Sequence, residues 1–244
     1  MSSTPVSIAA CFSRPCRVLL CMAMLTAGMA IGARPAVAQA TAGKFPVPSF
    51  YPISWELKFT HATPKRIVVR VPGDPTPKAY WYMTYSVTNL GEESVDFDPV
   101  FELLAQDGKT YRANRAVPSE VFDAIKKKEG NTLLESPRKV IGPVKPGQEQ
   151  ARDSVAIWPE PMKDMGTFSI FAAGLSGETL IMKKVGTQYV PVDPKNAAEE
   201  LKDVKEEDRM LLRKQYQVTY RVLGDKVAPG TDPIEKRLSK WVLR

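Results

Sequence analysis

Hydrophobic and polar residues alternate with a period of two through most of the chain, which predicts strands with one buried and one wet face. In SWELKFTH (54–61), Trp55, Leu57, Phe59 and His61 share a side. RIVVRV (66–71) aligns Ile67, Val69 and Val71, and VDFDPVFEL (95–103) sets Val95, Phe97, Pro99, Phe101 and Leu103 against Asp96, Asp98 and Glu102. DSVAIW (153–158), TFSIFAA (167–173), QYQVTYRVL (215–223) and a short KWVLR (240–244) extend the series. The joints suit strands too. VPGDPTPK (71–78) cannot lie inside a ladder, Asp107-Gly108 signals a hairpin, and KPGQ (145–148) fits a type II turn.

The stretch AYWYMTYSVTN (79–89) is the most aromatic. Trp81, Met83, Tyr85 and Val87 form one face, and burial of each is worth about 1.5–3 kcal/mol, enough to anchor a core strand. Tyr80 and Tyr82 point the other way. They form either an exposed aromatic pair for a sugar or protein partner, or a face covered by the proline-rich N-terminal stretch or the C-terminal helix.

Two segments have helical spacing. PSEVFDAIKKKEG (118–130) puts Val121, Phe122 and Ile125 on one face, with Pro118 in the first turn and Gly130 as the stop. DPKNAAEELKDVKEEDRMLLRK opens with Asp193 and Pro194 as cap and first-turn residues, and Ala197, Leu201 and Val204 make a thin stripe. The organisation expected is a signal peptide (1–38), a proline-rich segment (39–53) run extended or as a linker, a β-sandwich domain (54–192), and a helix with returning strands packed on it (193–244).

Short strands at roughly 8–12 residue spacing with turns between them predict an all-β, antiparallel sandwich or barrel. YSVTNLGEESVDFDP (85–99), FELLAQDGKTYRA (101–113) and VKPGQEQARDSVAIW (144–158) follow a set order. A "TN" turn leads to a strand ending in "DGKxY", and a "PG" turn introduces the next inward strand. This resembles a family of bacterial secreted immunoglobulin-like domains found in envelope and surface proteins. The resemblance spans about residues 80–174. It implies an immunoglobulin-like β-sandwich acting as a binding or scaffolding module with no catalytic residues. The one short helix inserted at 118–130 and the tail of about 50 residues depart from the bare domain.

The first forty residues read as an export signal. Arg14 and Arg17 precede the apolar VLLCMAMLTAGMAIGA (18–33), and Ala36 and Ala38 supply small residues for cleavage after Ala38 or Ala40. Sixteen residues at about 1.5 Å each fall short of the ~30 Å hydrocarbon core, which disfavours an uncleaved anchor. Leu20 before Cys21 breaks the lipoprotein pattern. The three cysteines, Cys11, Cys16 and Cys21, all lie in this segment, so the processed chain carries no disulfide and no thiolate metal site. Processing removes three arginines, so Lys+Arg fall from 34 to 31 against 27 acids and the net charge from +7 to +4. That is no dense basic face for nucleic acid.

Chemistry is sparse. The processed chain keeps one histidine, His61, too few for a histidine metal cluster or a supported triad, and no G-x-S-x-G, GxxxxGK[ST] or GxGxxG stretch occurs. His61 reads as structural. Asp96 and Asp98, two apart, offer a weak calcium site with Glu92 or Glu93, a glycosidase-like carboxylate pair, or simply a solvated face. No catalytic residue and no cofactor are expected. The expectation is an exported, non-enzymatic module, periplasmic, on the cell surface or extracellular. It would bind a protein or a cell-envelope polysaccharide, without nucleic acid or a stable membrane span. The alternative is a carbohydrate-binding or hydrolase-accessory domain using Tyr80, Tyr82, Asp96 and Asp98.

Overall fold

The computed structural model describes residues 55–162, 165–223 and 233–244. The signal peptide and the whole of the proline-rich segment expected from the sequence lie outside them. The fold is all-β and antiparallel, a sandwich of two sheets with a helix as a third layer.

In the first sheet, β3 (Lys78–Thr88) is the central strand. One edge of β3 pairs with β8 (Arg152–Pro159). The other takes two shorter strands end to end, β1 (Lys58–His61) at Tyr85–Thr88 and β2 (Lys65–Val69) at Lys78–Tyr82. The outer edge of β8 is closed locally: Ile157 N–H donates to Asn114 Oδ1 at 3.0 Å, and Asn114 N–H donates back to the Ile157 carbonyl at 2.7 Å. That exchange leaves no free ladder positions there.

The second sheet is built on β12 (Arg209–Val222). One edge carries β9 (Thr167–Ala173) and then β10 (Thr179–Val185), nearly in line; the other carries β13 (Ile234–Leu243). Beyond β9 come β5 (Val100–Leu104) and β6 (Thr110–Arg112), and beyond β10 comes β11 (Gln188–Pro191). A two-stranded piece joins β4 (Val95–Phe97) to β7 (Gly142–Val144). The β5–β6 hairpin turns at Asp107-Gly108 as its sequence dictates: Gly108 takes φ +80° and Asp107 Oδ1 accepts the Lys109 N–H at 3.0 Å. At the "TN" turn, Asn89 is buried and bonded on both ends of its amide. Its Nδ2 donates to the Glu93 and Val144 carbonyls, and its Oδ1 accepts from Gly91 N–H.

The main core lies between the sheets, where Trp81, Met83, Tyr85 and Val87 of β3 meet Phe168, Ile170, Val218 and Tyr220. A second core lies on the other side of β3. There α1 (Ser119–Glu129) lays Val121 and Ile125 over Val69, Tyr80, Tyr82, Val155 and Ile157. The first sheet is thus buried on both faces, and the uninterrupted run Tyr80–Met83 reflects that. The helix ends at Gly130, whose φ of +65° lets its N–H reach the Lys126 carbonyl at 3.1 Å.

Four expectations are corrected. The long C-terminal helix is one turn, α2 (Ala197–Glu200). Asp193 Oδ1 accepts the Lys195 N–H in an Asx turn rather than capping a helix. Met210, Leu212 and Lys214 instead continue the period-two series of β12, where pairing with β10 sets Leu212 beside Leu180 and Met210 beside Met182, cross-strand packing that a thin apolar stripe on a surface helix would not supply. The final strand is ten residues, not five. VDFDPVFEL breaks at Asp98–Pro99 into β4 and β5, which join different sheets. Gly174, at φ +84°, packs on this break: a Cβ there would lie 2.6 Å from the Asp98 carbonyl oxygen. Gly147 has φ 117° and ψ 148°, so 145–148 is not a type II turn.

Candidate functional site

The aromatic pair is not a binding face. Tyr80 and Tyr82 are 3% and 1% exposed. Their cover is α1, rather than the N-terminal stretch or a C-terminal helix. Tyr82 OH donates to Glu129 Oε1 at 2.6 Å, and Lys65 Nζ bonds the same carboxylate at 2.9–3.0 Å, so the end of α1 is pinned to the sheet. Burial pushes the Tyr82 phenol far up, and the bond to Glu129 adds to it.

Asp96 and Asp98 do not converge with those tyrosines. Asp96 is exposed on β4 opposite Pro143. Among the described residues, no group of three or more histidines, cysteines and acids is placed to hold a metal ion.

Asp98 instead lies at a cleft of about 600 Å³ between the β5–β6 pair, the 113–118 loop, the start of α1 and the 136–141 loop. Its walls carry Arg112, Arg115 and Arg138, with Asp98 the single acid, a formal excess of two positive charges. Pro99, Val100, Phe122 and Ile141 form its apolar parts. Two acids on neighbouring elements are already taken. Glu102, opposite Arg112 across the hairpin, is bonded to Arg244 Nη1 at 2.7 Å. Glu135 binds Arg152 at 2.6 and 3.0 Å. Among the described residues, none of the three cleft arginines forms an ion pair within 4 Å.

The backbone of this cleft is unusual. Asn114 and Ala116 have φ of 61° and 54°, the positive-φ residues other than glycine in the described chain. Left-handed backbone costs a residue such as alanine about 1–3 kcal/mol, so the packing around the loop holds it there. The first turn of α1 opens at the same place, with Pro118 offering no side-chain cap to its N–H groups. No sequence pattern marked this cleft, since its three arginines come from a strand end and two separate loops.

His61 lies elsewhere, between the sheets. Its ring stacks on Phe59 with centroids 5.4 Å apart, and its Nδ1 lies 3.1 Å from both Tyr220 OH and the Ala62 carbonyl. Tyr216 packs beside it, and the charge of Lys236 on β13 acts on it. Burial holds its pKa below the ordinary value, against the Ala62 bond and with help from Lys236. The folded state therefore prefers the neutral ring. This contribution is full above the unfolded pKa near 6.5 and declines as pH falls towards the lower folded value. Urea midpoints should drop between pH 7.5 and 5.0, and the drop should be smaller in His61→Phe; an unchanged pH dependence in that variant would remove the assignment.

No protein-family model and no curated protein matches this chain. Among solved structures, the yjhA protein from Bacillus subtilis is similar at a TM-score of 0.31 and 13% identity, over 65% of this chain and 92% of that one. No helix among the described residues is long and apolar enough to cross a membrane.

Proposed function

We propose that this chain is an exported, non-enzymatic binding module of the cell envelope, and that its ligand is acidic and enters the arginine cleft. The observation carrying this reading is the cleft's three unpaired guanidinium groups beside an apolar floor. A guanidinium fork matches a carboxylate or phosphate bidentately, and an apolar wall lowers the local dielectric and strengthens the contact. Supporting export is the charged, apolar, small-residue order of residues 1–38. Supporting a scaffolding or binding role is the resemblance to secreted immunoglobulin-like domains, whose matching positions are turns rather than acids or nucleophiles. The aromatic sheet face that a sugar-stacking reading needed is covered by α1, so the cleft is the better entry point for an envelope polysaccharide or an acidic protein segment.

The test is titration of the purified protein with hexaglutamate and with an oligogalacturonate, at low and moderate salt. Binding of one of them should weaken as salt rises, and Arg115→Ala or Arg138→Ala should cost roughly tenfold or more, the scale of one charge-assisted hydrogen bond. Equal affinity in the arginine variants, or no binding of either probe at millimolar concentration, removes the reading. Which probe binds separates the protein and polysaccharide cases.

A further inference from the structure

The arginine cleft holds charges of both signs that do not meet. Asp98 lies at the break between β4 and β5, where the chain enters the second sheet. Its side chain is exposed at the cleft and, among the described residues, pairs with none of Arg112, Arg115 and Arg138. An acid placed only to offset these cations would sit on one of them, as Glu135 sits on Arg152 at 2.6 Å and Glu160 on Arg66. The cleft therefore offers one anionic and three cationic attachment points at separate places on its wall.

The rest of the wall decides which anionic ligand suits it. Val117, Phe122, Pro137 and Ile141 line it, and Ile141 is 50% exposed. Such surface is stabilised by meeting apolar side chains, whereas hydroxyls pressed against it lose hydrogen bonds to water. A polyuronate carries hydroxyls along every ring and no cation to place on Asp98. A peptide carries apolar side chains, carboxylates and an ammonium on one backbone. Asn114 adds a donor: its Oδ1 is taken by the Ile157 N–H at 3.0 Å, which leaves its Nδ2 for a peptide carbonyl.

Resting on the reading of the cleft as an anion site, we propose that its ligand is an acidic peptide segment that also carries one ammonium group. Its carboxylates engage Arg112, Arg115 and Arg138, its ammonium engages Asp98, and an apolar side chain lies against Phe122 and Ile141. Net charge alone predicts a different preference. With three arginines against one acid, the cleft attracts a plain anion more strongly the more negative that anion is. Asp98 makes the ligand with an ammonium the better one, because without a cation to meet it the carboxylate only repels.

Two hexapeptides, blocked at both ends, separate these cases by calorimetric titration of the purified protein at low salt. One has four glutamates, a phenylalanine and a lysine; the other has norleucine for the lysine, the same stem without its charge. The lysine peptide should bind about two- to fivefold more tightly, the range of an exposed ion pair, although it is the less negative of the two. Asp98→Asn should abolish or reverse that preference. Asp98 makes no side-chain bond within the described fold, so the variant should fold, which far-UV circular dichroism checks. Where Arg115→Ala weakens both peptides, the arginine reading stands. Tighter binding of the norleucine peptide to the unaltered protein, or an unchanged preference in Asp98→Asn, then overturns the role of Asp98 alone. An oligogalacturonate that binds more tightly than either peptide assigns the cleft to a polysaccharide and overturns the peptide ligand. If neither peptide binds at millimolar concentration, or Arg115→Ala weakens neither, the arginine reading fails and the peptide ligand with it.

Discussion

Replacing Lys214 with methionine should destabilise the protein by about 3–5 kcal/mol, the cost of leaving a buried ion without its partner. The ammonium lies between Glu56 and Glu178, and Glu178 is itself 2% exposed. Its contact to Glu178 is an ion pair rather than an aligned hydrogen bond, whereas Glu56 Oε2 accepts one at 2.7 Å. The Trp241 ring lies 5.0 Å below the charge and adds a cation–π contact. Burial opposes the charged form, but the two carboxylates outweigh it and hold the Lys214 pKa above its ordinary value. Removing the cation strands both acids in a region of low dielectric. Adding Glu178→Gln to Lys214→Met should recover a large part of the loss, because the deeper carboxylate then no longer needs compensation. Urea unfolding of the single and double variants measures this. A Lys214→Met loss below 1 kcal/mol would show that water reaches the pair.

Ile125→Ala should cost about 2–5 kcal/mol, the range for deleting a fully buried aliphatic side chain. Ile125 is, with Val121, one of the two buried residues through which α1 meets Tyr80, Tyr82, Val155 and Ile157. The loss should be local in character. Hydrogen exchange should rise in α1 while the facing strands of the main core keep their protection. Arg115→Ala, on the exposed side of the same region, should change stability by no more than about 0.5 kcal/mol. If Ile125→Ala left stability unchanged, α1 would not be the layer that covers the tyrosines.

Much of the strand content was legible in residue order because a half-buried strand writes its burial as alternation. Trp55, Leu57, Phe59 and His61 face inward as their spacing requires, and so do Tyr216, Val218 and Tyr220. Pro118 and Gly130 marked α1 to within a residue, since one cannot continue a helix backwards and the other takes the left-handed backbone that ends it. The segment 193–214 misled for the opposite reason. Its mixed charges and evenly spaced apolar residues suit a surface helix as well as a loop followed by a strand, and only the presence of β10 as a neighbour decides between them. Asp96 and Asp98 look like a pair in sequence, yet the chain passes at Pro99 from the two-stranded β4–β7 piece into the second sheet immediately after them.

By itself, the sequence determined the antiparallel all-β character, the inward face of strands such as β1 and the second half of β12, the one inserted helix and its ends. These follow from short-range physics: side-chain alternation, proline and glycine backbone limits, and the transfer of apolar groups from water. Tertiary structure decided what covers the second face of β3, which arginines were left without acids, and where Arg112, Arg115 and Arg138 meet. Those depend on which distant segments are brought side by side, and neither burial nor charge pairing between residues far apart in the chain leaves a periodic trace along it.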